Sequence, residues 1–218
     1  MPAPAPPAGT LDELLARAES LYFRGEYDSA RARWTGGLGR ARAARDSLHE
    51  GRILTWLGLT AWRTGDYAAA RRLGDSALAL KLRARLTAEL GPSYNALGLL
   101  AWNEGRLTDA LDLFDRAMRA ARASGDRGLE TRAVGNLALV HTELGDFAEA
   151  RRELEQERDL AHAIGETRLE GNALNNLGMW FVRTGRPDRA GPLLRDARRL
   201  YASIGYATGE QQALGQLG

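Results

Sequence analysis

Small, aromatic and aliphatic positions recur along this chain with one long period. Gly25, Gly65, Gly105, Gly145 and Gly185 stand 40 residues apart without a slip. Five residues after each comes Ala30, Ala70, Ala110, Ala150 and Ala190, and two residues after come Tyr27, Tyr67, Leu107, Phe147 and Pro187. Seven residues before the glycines stand Ala18, Gly58, Gly98, Ala138 and Gly178, preceded by Leu57, Leu97, Leu137 and Leu177 but by Arg17 in the first unit. A fixed period of this length is the mark of a repeat architecture.

The pattern predicts two antiparallel helices per unit, A and B, joined at the periodic glycine, which ends helix A in a left-handed conformation. Glu26, Asp66 and Asp146 then suit the start of helix B, as caps or as charges near the helix dipole. The small residue of helix A and the alanine of helix B mark the crossing point, with Trp34, Phe114, Leu154 and Leu194 filling the flanks. Ser124-Gly125-Asp126, Ile164-Gly165-Glu166 and Ser203-Ile204-Gly205 supply the turns between units. Helices are expected near 127–144, 147–163, 167–184 and 187–203. Gly91-Pro92 should break or restart helix A of the third unit. Gly36, Gly37 and Gly39 should weaken the first helix B and leave that end loosely packed, and Gly74 should leave a gap or a bend in the second.

Composition narrows the class. Of 218 residues 44% are hydrophobic and 27% charged, a globular balance. Three Ile and three Val against abundant Ala and Leu disfavour strands. With no cysteine, disulfides, Cys-ligated zinc and thiol chemistry are excluded. A formal charge of +2 does not mark a general polyanion binder. Lys81 is the one lysine, an arginine bias that reads as the codon usage of a GC-rich, bacterial genome. The Pro/Ala-rich start has neither a basic nor an apolar stretch of signal-peptide kind, and no run is long enough to span a membrane. A cytoplasmic location is the expectation.

Leu57-Gly58…Gly65-Asp66-Tyr67…Ala70 resembles the tetratricopeptide repeat. The 40-residue version, with Asn-Asn-Leu-Gly and the Gly125-Asp126 and Gly165-Glu166 turns, is similar to repeats of Pins-family scaffolds, kinesin light chains and bacterial sensors of the maltose-activator kind. HEAT and armadillo arrays share the length, but the hinge glycine and paired small residues argue against them. The resemblance implies an all-α fold, a right-handed superhelix of five helix-turn-helix repeats plus an incomplete sixth helix. Residues 1–10 would form a disordered Pro/Ala-rich tail and 11–218 a single solenoid, with repeats at about 11–46, 47–86, 87–126, 127–166 and 167–206. Ala213 to Gly218 matches Ala173 to Gly178, so 207–218 reads as a capping helix or as the start of a repeat in a longer protein.

Catalytic chemistry has little support. His49, His141 and His162 follow no metal-binding spacing, and neither P-loop nor nucleophile elbow occurs. No catalytic residue, metal or cofactor is expected. His49 reads as a turn residue and His141 as a packed histidine; Glu149, Glu153, Glu155 and Glu157 read as a solvated helix face. Arg31, Arg33, Arg40, Arg42 and Arg45, then Arg71, Arg72, Lys81, Arg83 and Arg85, then Arg189, Arg195, Arg198 and Arg199 form basic groups on helices B. Such a strip can meet phosphates. Solubilising charge paired with nearby acids is the reading preferred here, against nucleic acid.

The family's geometry implies that helices A line a concave groove. On this chain they bring Arg52, Thr55, Leu59, Trp62 and Arg63 from unit two, and Asn95, Leu99, Trp102 and Asn103 from unit three. Unit four brings Arg132, Leu139, Thr142 and Glu143, and unit five Asn172, Asn175, Met179, Val182 and Arg183. Aromatic and aliphatic anchors carry much of the energy of protein interfaces, and Asn can both donate to and accept from a peptide backbone. Trp62 and Trp102 either face the groove or pack between repeats; Trp34, Trp56 and Trp180 are assigned to packing. The Lys/Arg and Asn clamp by which some family members hold a chaperone's C-terminal carboxylate is not formed. Its positions hold Leu15, Glu19, Trp56, Pro92 and Ala96, or Thr55, Leu59, Ala96, Arg132 and Asn136. The expected function is a non-catalytic scaffold whose groove binds a peptide or helix of a partner protein. The alternative is a regulatory or sensor segment of a larger bacterial signalling protein whose effector lies beyond residue 218. Self-association through the unfinished C-terminal helix stays open.

Overall fold

The computed structural model describes residues 9–217, so the tail expected over 1–10 lies, except for Gly9 and Thr10, outside the described residues. Among the described residues there are eleven α-helices and no strand. They are α1 (Leu11–Phe23), α2 (Tyr27–Ala43), α3 (Ser47–Arg63), α4 (Tyr67–Arg83), α5 (Leu90–Asn103), α6 (Leu107–Ser124), α7 (Arg127–Leu144), α8 (Phe147–Ile164), α9 (Thr167–Arg183), α10 (Pro187–Ser203) and α11 (Ala207–Leu217). Odd-numbered helices are the A members and even-numbered the B members. The third repeat restarts as expected: a 3₁₀ turn at Thr87–Glu89 precedes α5, and Pro92 sits in the first turn, where its missing N–H costs no helical bond.

The chain divides after Ala84 into two compact units. In the first, α1 packs on α2, α2 on α3 and α3 on α4, and α1 also touches α3. In the second, each of α5 to α11 packs on its neighbour in sequence, and the A helices α5, α7, α9 and α11 also touch in succession. No pair of B helices shares a contact of that extent, which puts the A helices on the tighter side of the stack within that unit.

The turns set the period. Gly25, Gly65, Gly105, Gly125, Gly145, Gly165, Gly185 and Gly205 all have φ between 66° and 85°, and Arg45 and Arg85 adopt φ 54° and 57°. The chain therefore turns left-handed every 20 residues, alternately from A to B and from B to A. After the first two repeats an arginine holds a position that later repeats give to glycine, although a Cβ there crowds the following carbonyl. Asp46, Asp66 and Asp126 accept the N3 amide of the helix that follows, while Glu26 and Asp146 make no such cap and act through their charge alone.

Helix crossings rest on the small residues. A Cβ on Gly98 would stand 2.6 Å from the Phe114 ring, and one on Gly178 2.7 Å from Leu194. In the second repeat the helix A crossing residue, Gly58, and the flanking residue of helix B, Gly74, are both glycine. A Cβ on Gly58 would lie 3.4 Å from the Ala70 carbonyl and 3.5 Å from the Gly74 amide, so the backbones themselves meet there. α4 runs unbroken through Gly74, where a gap or a bend was expected. The loose packing expected of α2 is also overturned. That helix is continuous, Trp34 is fully buried, and Gly37 lets Leu14 come so close that a Cβ would lie 2.8 Å from it. Trp34 stacks on Trp56 at 5.4 Å and 11°, with Tyr22 edge-on to Trp56, and Trp180 is buried between α9 and its neighbours.

Polar bonds tie successive A helices at an offset of one repeat plus one residue. Arg63 Nε donates to the Tyr22 hydroxyl at 3.3 Å, and Asn136 Nδ2 donates to Asn95 Oδ1 at 2.9 Å. His49, in the first turn of α3 rather than in the preceding loop, joins α3 to α1 through Asp46 at 2.6 Å and Asp12 at 3.1 Å.

Two outcomes follow from these features. Arg45→Gly removes the left-handed strain and should raise stability by about 1 kcal/mol, or roughly 2–4 °C in melting temperature for a chain of this size; an unchanged or lower value contradicts it. Asn136→Ala leaves the Asn95 side-chain carbonyl buried without its donor and should cost ~1–3 kcal/mol. Adding Asn95→Ala should then cost little more, as read by urea unfolding of the double-mutant cycle; additive losses contradict the bond.

Candidate functional site

On the A helices from the second repeat onward, single partly open positions alternate with buried ones. In the first unit Arg52, Leu59 and Trp62 are half-buried and Arg63 is exposed. Arg63 spreads over the Trp62 ring at 4.9 Å while its Nε is held by Tyr22, so this pair presents a fixed cation and an aromatic surface together. The indole Nε1 of Trp62 is buried and has no hydrogen-bond partner. Phe23 and Trp56, half-buried and 5.9 Å apart edge to face, belong instead to the packing around Tyr22 and Trp34, where Trp56 was expected.

In the second unit Leu99, Leu139 and Met179 occupy one register position on α5, α7 and α9, and each is half-buried. Leu59 holds the same register position on α3 of the first unit, so every complete A helix from the second repeat onward carries one partly open aliphatic side chain. Trp102 is half-buried against the cluster of Ala101, Phe114, Leu137 and Val140. Arg132 and Asn172 are half-buried, and Asn103, Glu143, Val182 and Arg183 are exposed. Glu143 and Arg183 make no ion pair within the described residues.

Four of the residues placed in the groove from sequence are turned inward. Thr55 is 4% exposed, donates to the Gly51 carbonyl and accepts from Lys81 Nζ at 3.0 Å. Thr142 donates to the Ala138 carbonyl. Asn95 is taken up by Asn136. Asn175 is 1% exposed; its Nδ2 lies 3.8 Å from the Met179 sulfur and its Oδ1 has no partner. Asn172 is half-used, accepting the Tyr201 hydroxyl at 2.8 Å.

Several charged residues also sit otherwise than expected. Lys81 is not part of an outer basic strip: it is 1% exposed and its stem packs over Gly51, where a Cβ would stand 2.9 Å from it. Several arginines of the B helices are paired in place, Arg31 with Asp28, Arg116 with Asp112, Arg151 with Glu155 and Arg199 with Asp196, at 2.6–2.9 Å. The glutamates of α8 are not all a solvated face. Glu153 binds His141 Nδ1 at 2.7 Å, and burial raises its carboxyl above the ordinary range while His141 partly offsets this. Glu157 is 2% exposed, and burial pushes its carboxyl up to about 8, with the Asn176 amide pulling the other way. Among the described residues no group of three or more His, Asp or Glu could hold a metal ion, and no helix is long and apolar enough to cross a membrane.

Fold comparison gives relatives of one architecture. Bacillus thuringiensis PlcR, solved with the peptide PapR7 and DNA, superposes with a TM-score of 0.79 at 12% identity, over 93% of this chain and 73% of that one. A Rap protein solved with Competence and Sporulation Factor gives 0.69 at 14% identity, over 95% and 62%. A thermophilic TPR protein of Thermus thermophilus gives 0.64 at 21% identity, over 92% and 98%. These likenesses are to superhelical solenoids of stacked helix pairs and bear on the fold alone. No curated protein sequence matches the chain significantly. Models of the tetratricopeptide repeat match residues 15–85, 89–156 and 129–203, well over half of the sequence. With the 20-residue turns and the small-residue crossings, these matches establish that the chain belongs to the tetratricopeptide repeat family.

Proposed function

We propose that the chain is a non-catalytic, cytoplasmic protein-interaction scaffold, whose A-helix faces bind a peptide or helix of a partner protein. The observation that carries this is the half-buried series Leu99, Leu139 and Met179 on α5, α7 and α9 of the second unit, with polar side chains beside it; Leu59 holds the same register position in the first unit. An aliphatic row of this kind offers shallow pockets for alternate apolar side chains of a ligand, and desolvated anchors of that type supply most of an interface's energy. In the first unit the Trp62–Arg63 pair adds an aromatic and a cationic contact. In the second unit Asn103, Arg132, Glu143, Asn172 and Arg183 set the polar pattern that would fix ligand register. Thr55, Asn95 and Asn175 shape these faces from below rather than touching a ligand. PlcR was solved with a peptide and the Rap protein with Competence and Sporulation Factor, which makes a peptide or protein ligand the natural class to try first.

A second reading, a regulatory segment of a longer signalling protein, draws support from a signal-transduction ATPase of Pyrococcus horikoshii that carries a tetratricopeptide repeat sensor. It superposes with a TM-score of 0.70 at 14% identity, and the match covers 94% of this chain but 31% of that protein. Both readings use the same faces and differ in what the bound ligand controls. Self-association is the competing use of the C-terminal end, where Leu214 of α11 is 43% exposed. Light scattering of the concentrated chain showing a monomer removes it.

The test reverses charge on the A-helix face with Glu143→Arg/Arg183→Glu and, as control, on the B side with Arg195→Glu/Arg198→Glu. Affinity for a ligand recovered from the source organism's lysate is then measured for each folded variant. The first pair should weaken binding at least about tenfold, ~1.4 kcal/mol. The second pair should leave it unchanged. Loss in the B-side variant with a steep salt dependence places binding on the arginines of the B helices and overturns the proposal.

A further inference from the structure

Glu157 departs from its register. The equivalent positions of the other four repeats hold Gly37, Ala77, Ala117 and Ala197. Its carboxyl reaches from α8 into the space over Gly135 of α7, where a Cβ would lie 2.3 Å from Oε1. There both oxygens accept the Asn176 Nδ2 of α9, at 3.0 and 3.1 Å. One repeat earlier, Asn136 bonds the side chain at position 95. The matching partner of Asn176 would be residue 135, a glycine with nothing to offer, and Glu157 supplies the missing acceptor from behind. Gly135, Glu157 and Asn176 thus form one cluster joining α7, α8 and α9 across the boundary of the fourth and fifth repeats.

The surroundings hold little to neutralise a carboxylate. On α8 itself Glu153, one turn back, is spent on His141 of α7. From α7 the contact is the Gly135 backbone. From α9 come Asn176 and, nearer Tyr201, Arg168, which is paired with Glu166 at 2.8 Å. From α10 comes Tyr201, whose ring lies over Gly171 and whose hydroxyl is given to Asn172. Burial and the Glu157 charge both disfavour ionisation of that phenol. Of all these groups, Asn176 is the one that favours the charged form of Glu157. A buried ion without a cation is costly, so the acid keeps its proton instead.

We propose that Glu157 is a proton-held latch on the seam between the fourth and fifth repeats: protonated it fastens α9 to α7 and α8, and loss of the proton favours an opened seam that admits water. The direction follows from linkage. A carboxyl that titrates near 4.5 when exposed and near 8 in the closed seam binds more protons closed than open. The closed state is therefore favoured most below about pH 4.5, weakens as pH rises from there to about 8, and stays level above. Across that window the opening constant rises about tenfold per pH unit. Arg132, Leu139, Asn172 and Met179 sit on α7 and α9, so a loosened seam would disturb the face used in the proposed scaffold function. That consequence rests on the scaffold reading; the latch does not.

Hydrogen exchange of the free chain tests the latch without any partner. Amide protection is followed peptide by peptide between pH 5.5 and 8.5 and corrected for the intrinsic rate of exchange. In the native chain, protection over α8 and α9 should fall about tenfold per pH unit up to about pH 8. In Glu157→Gln, which keeps the acceptor for Asn176 but cannot ionise, that fall should vanish. Glu157→Ala/Asn176→Ala, which gives position 157 the alanine of three other repeats, provides the same comparison should the glutamine variant fold poorly. Comparing variants cancels other titrations, such as that of His49 in the first unit. Equal pH dependence in native and variant chains, or none in the native chain, overturns the latch.

Discussion

The close crossing of each helix pair constrains everything else. Gly98 under Phe114, Gly178 under Leu194 and Gly58 against the backbone at Gly74 leave no room for a Cβ in the first two and little in the third. Helices brought that near fix the angle of each pair, and left-handed turns at 20-residue intervals pass that angle on to the next. A substitution at a crossing would force the neighbouring ring, leucine or backbone to shift. The helix A position is glycine in three repeats and Ala18 and Ala138 in the other two, and the residue facing it varies as Trp34, Gly74, Phe114, Leu154 and Leu194.

Polar side chains do a second task, which varies from repeat to repeat. Where the register allows, A helices bond each other directly, as in Asn136 to Asn95 and Arg63 to Tyr22. Where it does not, a B helix sends a long polar side chain over a glycine: Lys81 over Gly51 to reach Thr55, and Glu157 over Gly135 to reach Asn176. Buried groups of this type stabilise little by themselves, because desolvation offsets the bond, but they penalise any stacking that leaves them unpaired. Between nearly identical helix pairs, that penalty disfavours a slipped register.

Much of this was legible in the amino-acid order. The helices expected at 127–144 and 187–203 are found at those residues, and the restart at Pro92 is where the proline requires it. Arg45 and Arg85 escaped notice as left-handed turns because a propensity argument looks for glycine, whereas the 20-residue spacing alone would have found them. Glu157 was misread because acids four residues apart look like a solvated stripe. Burial depends on Gly135, 22 positions earlier, and no local pattern reports that. Lys81 over Gly51 is the same error. On the A helices, the repeat register gives Leu59, Leu99, Leu139 and Met179 a common position, each half-buried, but it could not say that Thr55, Asn95 and Asn175, on an adjacent stripe, are buried within the stack.

Photo-crosslinking tests the central claim, that the A-helix faces are the working surface, most directly. A photoreactive side chain is placed in turn at positions 63, 139 and 183, and at positions 72, 152 and 198 on the B helices, and each folded chain is irradiated with its captured ligand. Crosslinks are expected from the first three positions and none from the second three. Crosslinks confined to the B helices would contradict the claim.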